Sequence, residues 1–341
     1  MRIRRRRRWT CGWTRPGAGV VAMLAVAALA RPASAQLAAG CAASAGALQD
    51  ACQKTADIFA YMVPQLGALA AGGNAIVGEG GNLGKFGRFA IGLKGTAYRV
   101  RIPDLRDTAF DPSGAVQSDI GTLRQFAGMP SVDLSVAVFR GFPIELTNVL
   151  GVDLLGSLAF LPTFSTDGGR VETSGGAGHA GYGVRVGVLQ EASGSPGIAV
   201  TYMRRGLPTT DVTVRTSRSD TLRVSRMSLD ADSWRVVVAK HFISLGVVAG
   251  IGQDRYDARG TGLVTLDPGG VPQALAEPLA LEEKQNRTNA FVSASMSWPF
   301  VRVVGEFGSA FGGGGDTYNR FADHAADDPI FYGTLGVRVG F

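Results

Sequence analysis

The chain has 341 residues, 48 of them glycine, is 45% hydrophobic and carries a formal net charge of +6. That excess belongs to the first 35 residues, which hold eight arginines and no acid, so their removal takes the net charge from +6 to −2. The remainder offers no basic surface for nucleic acid. It also lacks any run of twenty apolar residues that would cross a bilayer as a helix.

Met1 to Gln36 reads as an export signal. Arg2 and Arg4 to Arg8 form a positive leading region, Gly17 to Ala30 is an uncharged apolar run, and Ala33-Ser34-Ala35 is a small-x-small cleavage site. Leu37 to Cys41 resembles a lipobox, but Arg31 and Pro32 separate it from the apolar run. Cys41 and Cys52 remain after cleavage, and two cysteines in an exported chain suggest a disulfide. On one straight helix they would lie about 16 Å apart, so a bond requires a bend, with Ala45-Gly46 the natural place. Two unpaired cysteines are the alternative.

Residues 36–85 read as a helical, glycine-rich periplasmic or plug segment. Ile58, Met62, Leu66 and Leu69 recur at helical spacing, and Pro64 is expected to kink or divide that helix. The glycines from Gly72 to Gly84 then break regular structure, and no lysine-serine or lysine-threonine pair follows to make a phosphate loop.

From Phe86 to Phe341 the texture is alternation. Ten runs follow the two-residue period of a strand: 86–101, 130–140, 144–160, 181–191, 197–216, 219–240, 242–256, 287–298, 300–311 and 331–341. Short and long connections alternate between them, the long ones at 103–129, 161–180, 206–218, 255–286 and 312–330. This is the rhythm of an antiparallel transmembrane β-barrel of about 10–14 strands, with tight turns on one side and long loops on the other. The 197–240 pair is long enough to project past a bilayer. With the apolar faces toward lipid, the opposite faces place Arg88, Lys94, Asp133, Asp153, Arg185, Arg235, Arg302, Glu306 and Arg338 along the lumen. Such a cationic surplus favours anions if the lumen is open, and braces the barrel if the charges pair.

The closing run ends Thr334-Leu335-Gly336-Val337-Arg338-Val339-Gly340-Phe341. Thr334, Gly336 and Phe341 resemble the C-terminal signal by which outer-membrane barrels recruit their assembly machinery, with Val339 where a second aromatic is commoner. A barrel preceded by residues 37–85 also looks like the FadL-type transporters of hydrophobic solutes. In that family the N-terminal segment is a hatch inside the barrel; its asparagine-proline-alanine motif is absent here. The resemblance implies an outer-membrane location and passive transport of a small hydrophobic solute; with the cationic lumen, the expected function is porin-like passage of a small hydrophobic or anionic solute. The alternative is a structural or surface-interaction barrel with no open pore. A monomer in outer-membrane lipid is expected, with no nucleic acid, cofactor or metal. No enzymatic activity is expected either: His179, His241 and His324 are scattered, and Asp323 to Asp328 reads first as a polar loop.

Overall fold

The structure is a computed structural model that describes residues 37–144, 147–161, 163–165, 169–173, 178–267, 271–322 and 324–340. The export signal, Asp323 and Phe341 therefore lie outside the described residues. Ten long strands run in chain order: β1 Phe89–Asp104, β2 Asp119–Phe139, β3 Gly151–Phe160, β4 Gly178–Leu189, β5 Gly197–Arg215, β6 Thr221–Phe242, β7 Leu245–Leu266, β8 Leu279–Ser297, β9 Val301–Phe311 and β10 Ile330–Gly340. Each pairs antiparallel with its neighbours, and β1 pairs with β10 from Ala90↔Gly340 to Tyr98↔Tyr332. The sheet is therefore closed and leaves no edge to aggregate.

The short turns, at 190–196, Ile243–Ser244 and 298–300, gather at one end. The link between β2 and β3 joins them there, with a small hairpin of Phe142–Ile144 against Thr147–Val149. The long connections occupy the other end. The strands are longer than expected on the loop side: β2 begins at Asp119, β7 runs to Leu266 and β8 begins at Leu279.

Two layers of patterning run around the barrel. Near the short turns the apolar side chains point outward: Leu93, Trp234, Ile251, Phe307 and Leu335 each expose more than half of their surface. The belt spans about ten residues per strand, which at ~3.3 Å per residue and ~40° of tilt is about 25 Å tall, the height of a hydrocarbon core. Toward the long loops the pattern inverts. On β6, Leu222, Val224, Met227, Leu229 and Ala231 are buried inside, while Arg223, Ser228 and Asp230 face out. A bulge between Ser225 and Ser228 shifts the alternation by one residue, and without it Leu222 and Val224 would face water. The wall thus offers apolar surface to lipid along its lower half and to an internal core along its upper half.

That core is filled by the helix α1, Gly46–Ala71, which lies in the lumen and is buried on all sides from Asp50 onward, not along one stripe. A turn at Ala39–Cys41 precedes it, Gly46 turns the chain at φ 57°, and Cys41 and Cys52 are bonded with their Cα atoms 5.6 Å apart. Pro64 lies inside a helix that stays continuous, so of the two expected effects, a kink or a division, the division does not occur. Proline removes the N–H that would bond the Ala60 carbonyl, and Gln285 of β8 replaces it, its Nε2 donating to that oxygen at 3.3 Å. Gln285→Leu is expected to cost about 1–3 kcal/mol by leaving the carbonyl unpaired. The loss should shrink in a Pro64→Ala background, where the helix supplies its own donor. Urea midpoints of the four proteins in detergent check it, and an equal loss in both backgrounds would refute it.

Candidate functional site

The internal segment runs the length of the lumen in one direction. The first half of α1 lies among the long loops. Asp50 accepts hydrogen bonds from the Asp111 and Val116 amides at 2.9 and 3.4 Å, and forms an ion pair with Lys54 at 2.5 Å. One turn-pair further on, Asp57 accepts from the Tyr318 and Asn319 amides at 3.0 and 2.9 Å and from the Asn319 side chain at 2.6 Å. Burial pushes Asp57 above the usual carboxylate range in spite of these donors. The two loops also hold one another, since Asn319 accepts from Ser118 and the Gln117 amide group donates to the Tyr318 carbonyl. The upper mouth is therefore capped by loops fastened to carboxylates of α1.

Below Ala71 the segment thins to the glycine-rich stretch 72–88, and its contacts change character. The wall presents cations, and the segment presents oxygens. Arg205 donates to the Ala71 carbonyl, and Arg235 to the Gly72 carbonyl at 3.4 Å. Lys94 donates to the Asn74 carbonyl at 3.2 Å and Arg302 to that of Gly78 at 3.1 Å. Glu79 then meets both Arg302, at 2.7 Å, and Arg338, at 2.8 Å. Burial alone would raise Glu79, but Arg338, Arg302 and Arg185 outweigh it and hold the carboxylate below its usual range. Its contribution to docking is thus present above the ordinary glutamate range, and fades only as pH falls through the depressed value. Two wall carboxylates bind amides of the segment: Glu306 accepts from Asn74 at 2.9 Å, and Asp153 from Leu83 at 3.1 Å.

Of the lumen-lining candidates, Lys94 pairs with Asp133 at 2.8 Å, Arg185 with Asp153 at 2.6 Å and Arg235 with Asp254 at 2.7 Å. Arg302, Arg338 and Glu306 contact the segment directly, as above. Arg88 lies one residue before β1, exposed at the lower rim. Thr334 faces the lumen and bonds Thr96 at 2.9 Å, and Gly336 lies on the same face beside Lys94. Glu79, Arg205 and Asp254 were not expected. Arg205 and Asp254 sit at inward positions of their strands, beside Met203 and Tyr256, so the alternation held the signal. Glu79 lies in a glycine tract that has no period to read.

The histidines do not converge. His241 pairs with Glu191 at 2.6 Å by the short turns, His179 faces the upper lumen, and His324 meets Asp328 at 2.9 Å in the last loop. Burial holds the His324 imidazole below its usual value although Asp328 draws it up. Among the described residues no group of three or more histidine, cysteine or carboxylate side chains could hold a metal.

A closed, even-numbered antiparallel barrel with a lipid-facing apolar belt, charged lumen, short turns at one end and long loops at the other is a transmembrane β-barrel of the outer-membrane type. The short turns mark the periplasmic end and the long loops the outside. No protein-family model matches the sequence, and no curated protein matches it. The fold is similar to the Neisserial surface protein A, at 10% identity over 75% of this chain and 99% of that one, TM-score 0.30. It is similar to the translocator domain of the autotransporter NalP from Neisseria meningitidis, at 10% identity over 75% and 88%, TM-score 0.41. It is also similar to the Pseudomonas putida toluene transporter TodX, at 10% identity over 75% and 89%, TM-score 0.31. Likeness at these values carries no argument about activity, and the assignment rests on the barrel's own geometry.

Proposed function

We propose that the protein is a self-plugged, non-enzymatic channel of the outer membrane that passes a small anionic solute when the segment 72–88 leaves the lower lumen. One observation carries this reading. Five wall cations, Lys94, Arg205, Arg235, Arg302 and Arg338, are satisfied in part by four carbonyls and one carboxylate of the plug. The plug occupies the place of an anion. Its departure would leave a wall that favours anions over hydrophobic molecules. On this reading the chain is exported by its N-terminal signal, inserted through its closing strand by the assembly machinery, and works as a monomer.

Single-channel recording in planar bilayers tests it. Wild type is expected to stay closed for most of the record with brief anion-selective openings, and Glu79→Gln to raise the open fraction about tenfold by removing a charge-assisted contact. Cation-selective openings would sink the reading. Silence in both proteins would support a second one, a surface barrel with no pore. The loop cap fastened at Asp50 and Asp57 favours that alternative.

A further inference from the structure

The lower mouth holds a cavity of about 210 Å³ between the plug and the turn joining β8 to β9, lined among others by Glu79, Arg88, Trp298, Arg302 and Arg338. Three guanidinium groups face it and one carboxylate. Asp153, bonded to the nearby Leu83 amide, pairs directly with Arg185 at 2.6 Å and acts on Arg338 only at longer range. Arg338 is 8% exposed, so its charge is held out of bulk water and depends on what lies in the cavity and on Glu79. A water occupies about 30 Å³, so the space accommodates a hydrated carboxylate or phosphate. Planar guanidinium forks match either oxyanion.

Glu79 is mounted to be exchanged. It lies between Gly78, at φ 76°, and Gly80. A Cβ on Gly78 would come 2.7 Å from Val304, and one on Gly80 would run into the Ala239 backbone, so only glycines let the chain lie this close to the wall. Such a stretch has little side-chain packing to resist the withdrawal of one carboxylate.

We propose that this cavity binds a small oxyanion, a carboxylate or a phosphate, between Arg88, Arg302 and Arg338, and that the anion and the Glu79 carboxylate compete for Arg302 and Arg338. The anion is thereby the signal that unlatches the plug from the periplasmic side. This deepens the channel reading and rests on it for the consequence of binding, although binding itself requires no conduction. The rim of the cavity carries exposed Phe89, Trp298 and Phe300 at the edge of the apolar belt. The oxyanion therefore has two sources, a free solute or a phospholipid headgroup.

Trp298 lines the cavity, and Trp234→Phe leaves it the one tryptophan beyond residue 36. Folded Trp234→Phe protein of residues 36–341, without the export signal and its Trp9 and Trp13, is titrated in detergent with inorganic phosphate and with acetate at constant ionic strength, and Trp298 fluorescence is read. Saturable binding is expected, about tenfold tighter in Glu79→Gln and about tenfold weaker in Arg302→Gln. Unchanged heat-modifiable migration certifies the fold of each variant. No saturable response in either wild type or Glu79→Gln overturns the site, and equal affinity in those two overturns the competition. The titration is repeated in phosphatidylcholine and phosphatidylglycerol nanodiscs. A response retained in both supports a free anion, and one lost in phosphatidylglycerol alone or in both lipids, each of which carries a phosphodiester, supports the headgroup as occupant. Binding without any change in bilayer conductance keeps the site and removes the channel reading.

Discussion

Replacing Asp153 by alanine is expected to lower the stability of the barrel by about 3–5 kcal/mol, the usual result of stranding one member of a buried pair. Asp153 is fully buried and Arg185 is 1% exposed. The carboxylate takes two bonds from Arg185, at 3.0 and 2.6 Å, and a third from the Leu83 amide of the plug. Alanine removes all three bonds and leaves the Arg185 guanidinium in the lumen wall with no carboxylate in contact, Glu79 acting on it only at longer range. Asp153→Asn keeps the shape and one acceptor, and should lose less. The double variant Asp153→Ala with Arg185→Met removes the stranded charge and should recover most of the loss, because an apolar pair of similar volume avoids the desolvation cost altogether. Urea midpoints of heat-modifiable migration give the three values. A loss under about 1 kcal/mol in Asp153→Ala would mean that water hydrates Arg185 freely, and the lower lumen would then be wet rather than packed.

Most of the barrel was legible because its lower half obeys the rule that a membrane strand is read by: apolar out, polar in. Val236 and Val238 are exposed on one face with Arg235 buried on the other, and Val337 stands likewise against Arg338, although the inner face also carries Val237 and Ala239. The upper half obeys the opposite rule, and there the reading failed. Arg255, Asp257 and Arg259, or Glu282 and Lys284, look like loop residues to an eye seeking an apolar outer face. Yet Tyr256, Ala258 and Val264 keep the two-residue period on the inside, because they pack against the helix instead of lipid. The bulges in β5 and β6 add a second obstacle, since one extra residue exchanges the faces without changing the composition. The plug was legible as a helix followed by glycines, and the bend at Gly46 allowed the disulfide. Its place in the lumen was one of two alternatives, periplasmic or plug, and its contacts were not legible, because nothing in residues 36–85 states which carbonyls Arg205 or Lys94 will find. That the helix runs on through Pro64 was hidden for the same reason, its compensating donor lying more than two hundred residues away at Gln285.

Gly67→Leu is expected to expel the plug while leaving the barrel closed. Gly67 lies against the ring of Tyr256, and a Cβ there would come within 2.5 Å of it. Tyr256 is fully buried, so the ring has no solvent to retreat into. Overpacking a closed interior costs about 1–3 kcal/mol for a few added carbons, and a leucine adds four against an aromatic face. What yields is set by how each part is held. The barrel is closed by continuous backbone ladders, whereas α1 meets the wall through side chains and two loop contacts, so moving the helix is the lesser loss. Lys54 reports the outcome: its side chain is 2% exposed in the docked plug and lies near the outer mouth. Trypsin added to intact cells or proteoliposomes should cut after Lys54 at least tenfold faster in Gly67→Leu than in wild type, following the population of the open form, with heat-modifiable migration unchanged. If the urea midpoint falls instead and Lys54 stays protected, plug and barrel unfold as one cooperative body, and no state with an empty lumen exists for a solute to cross.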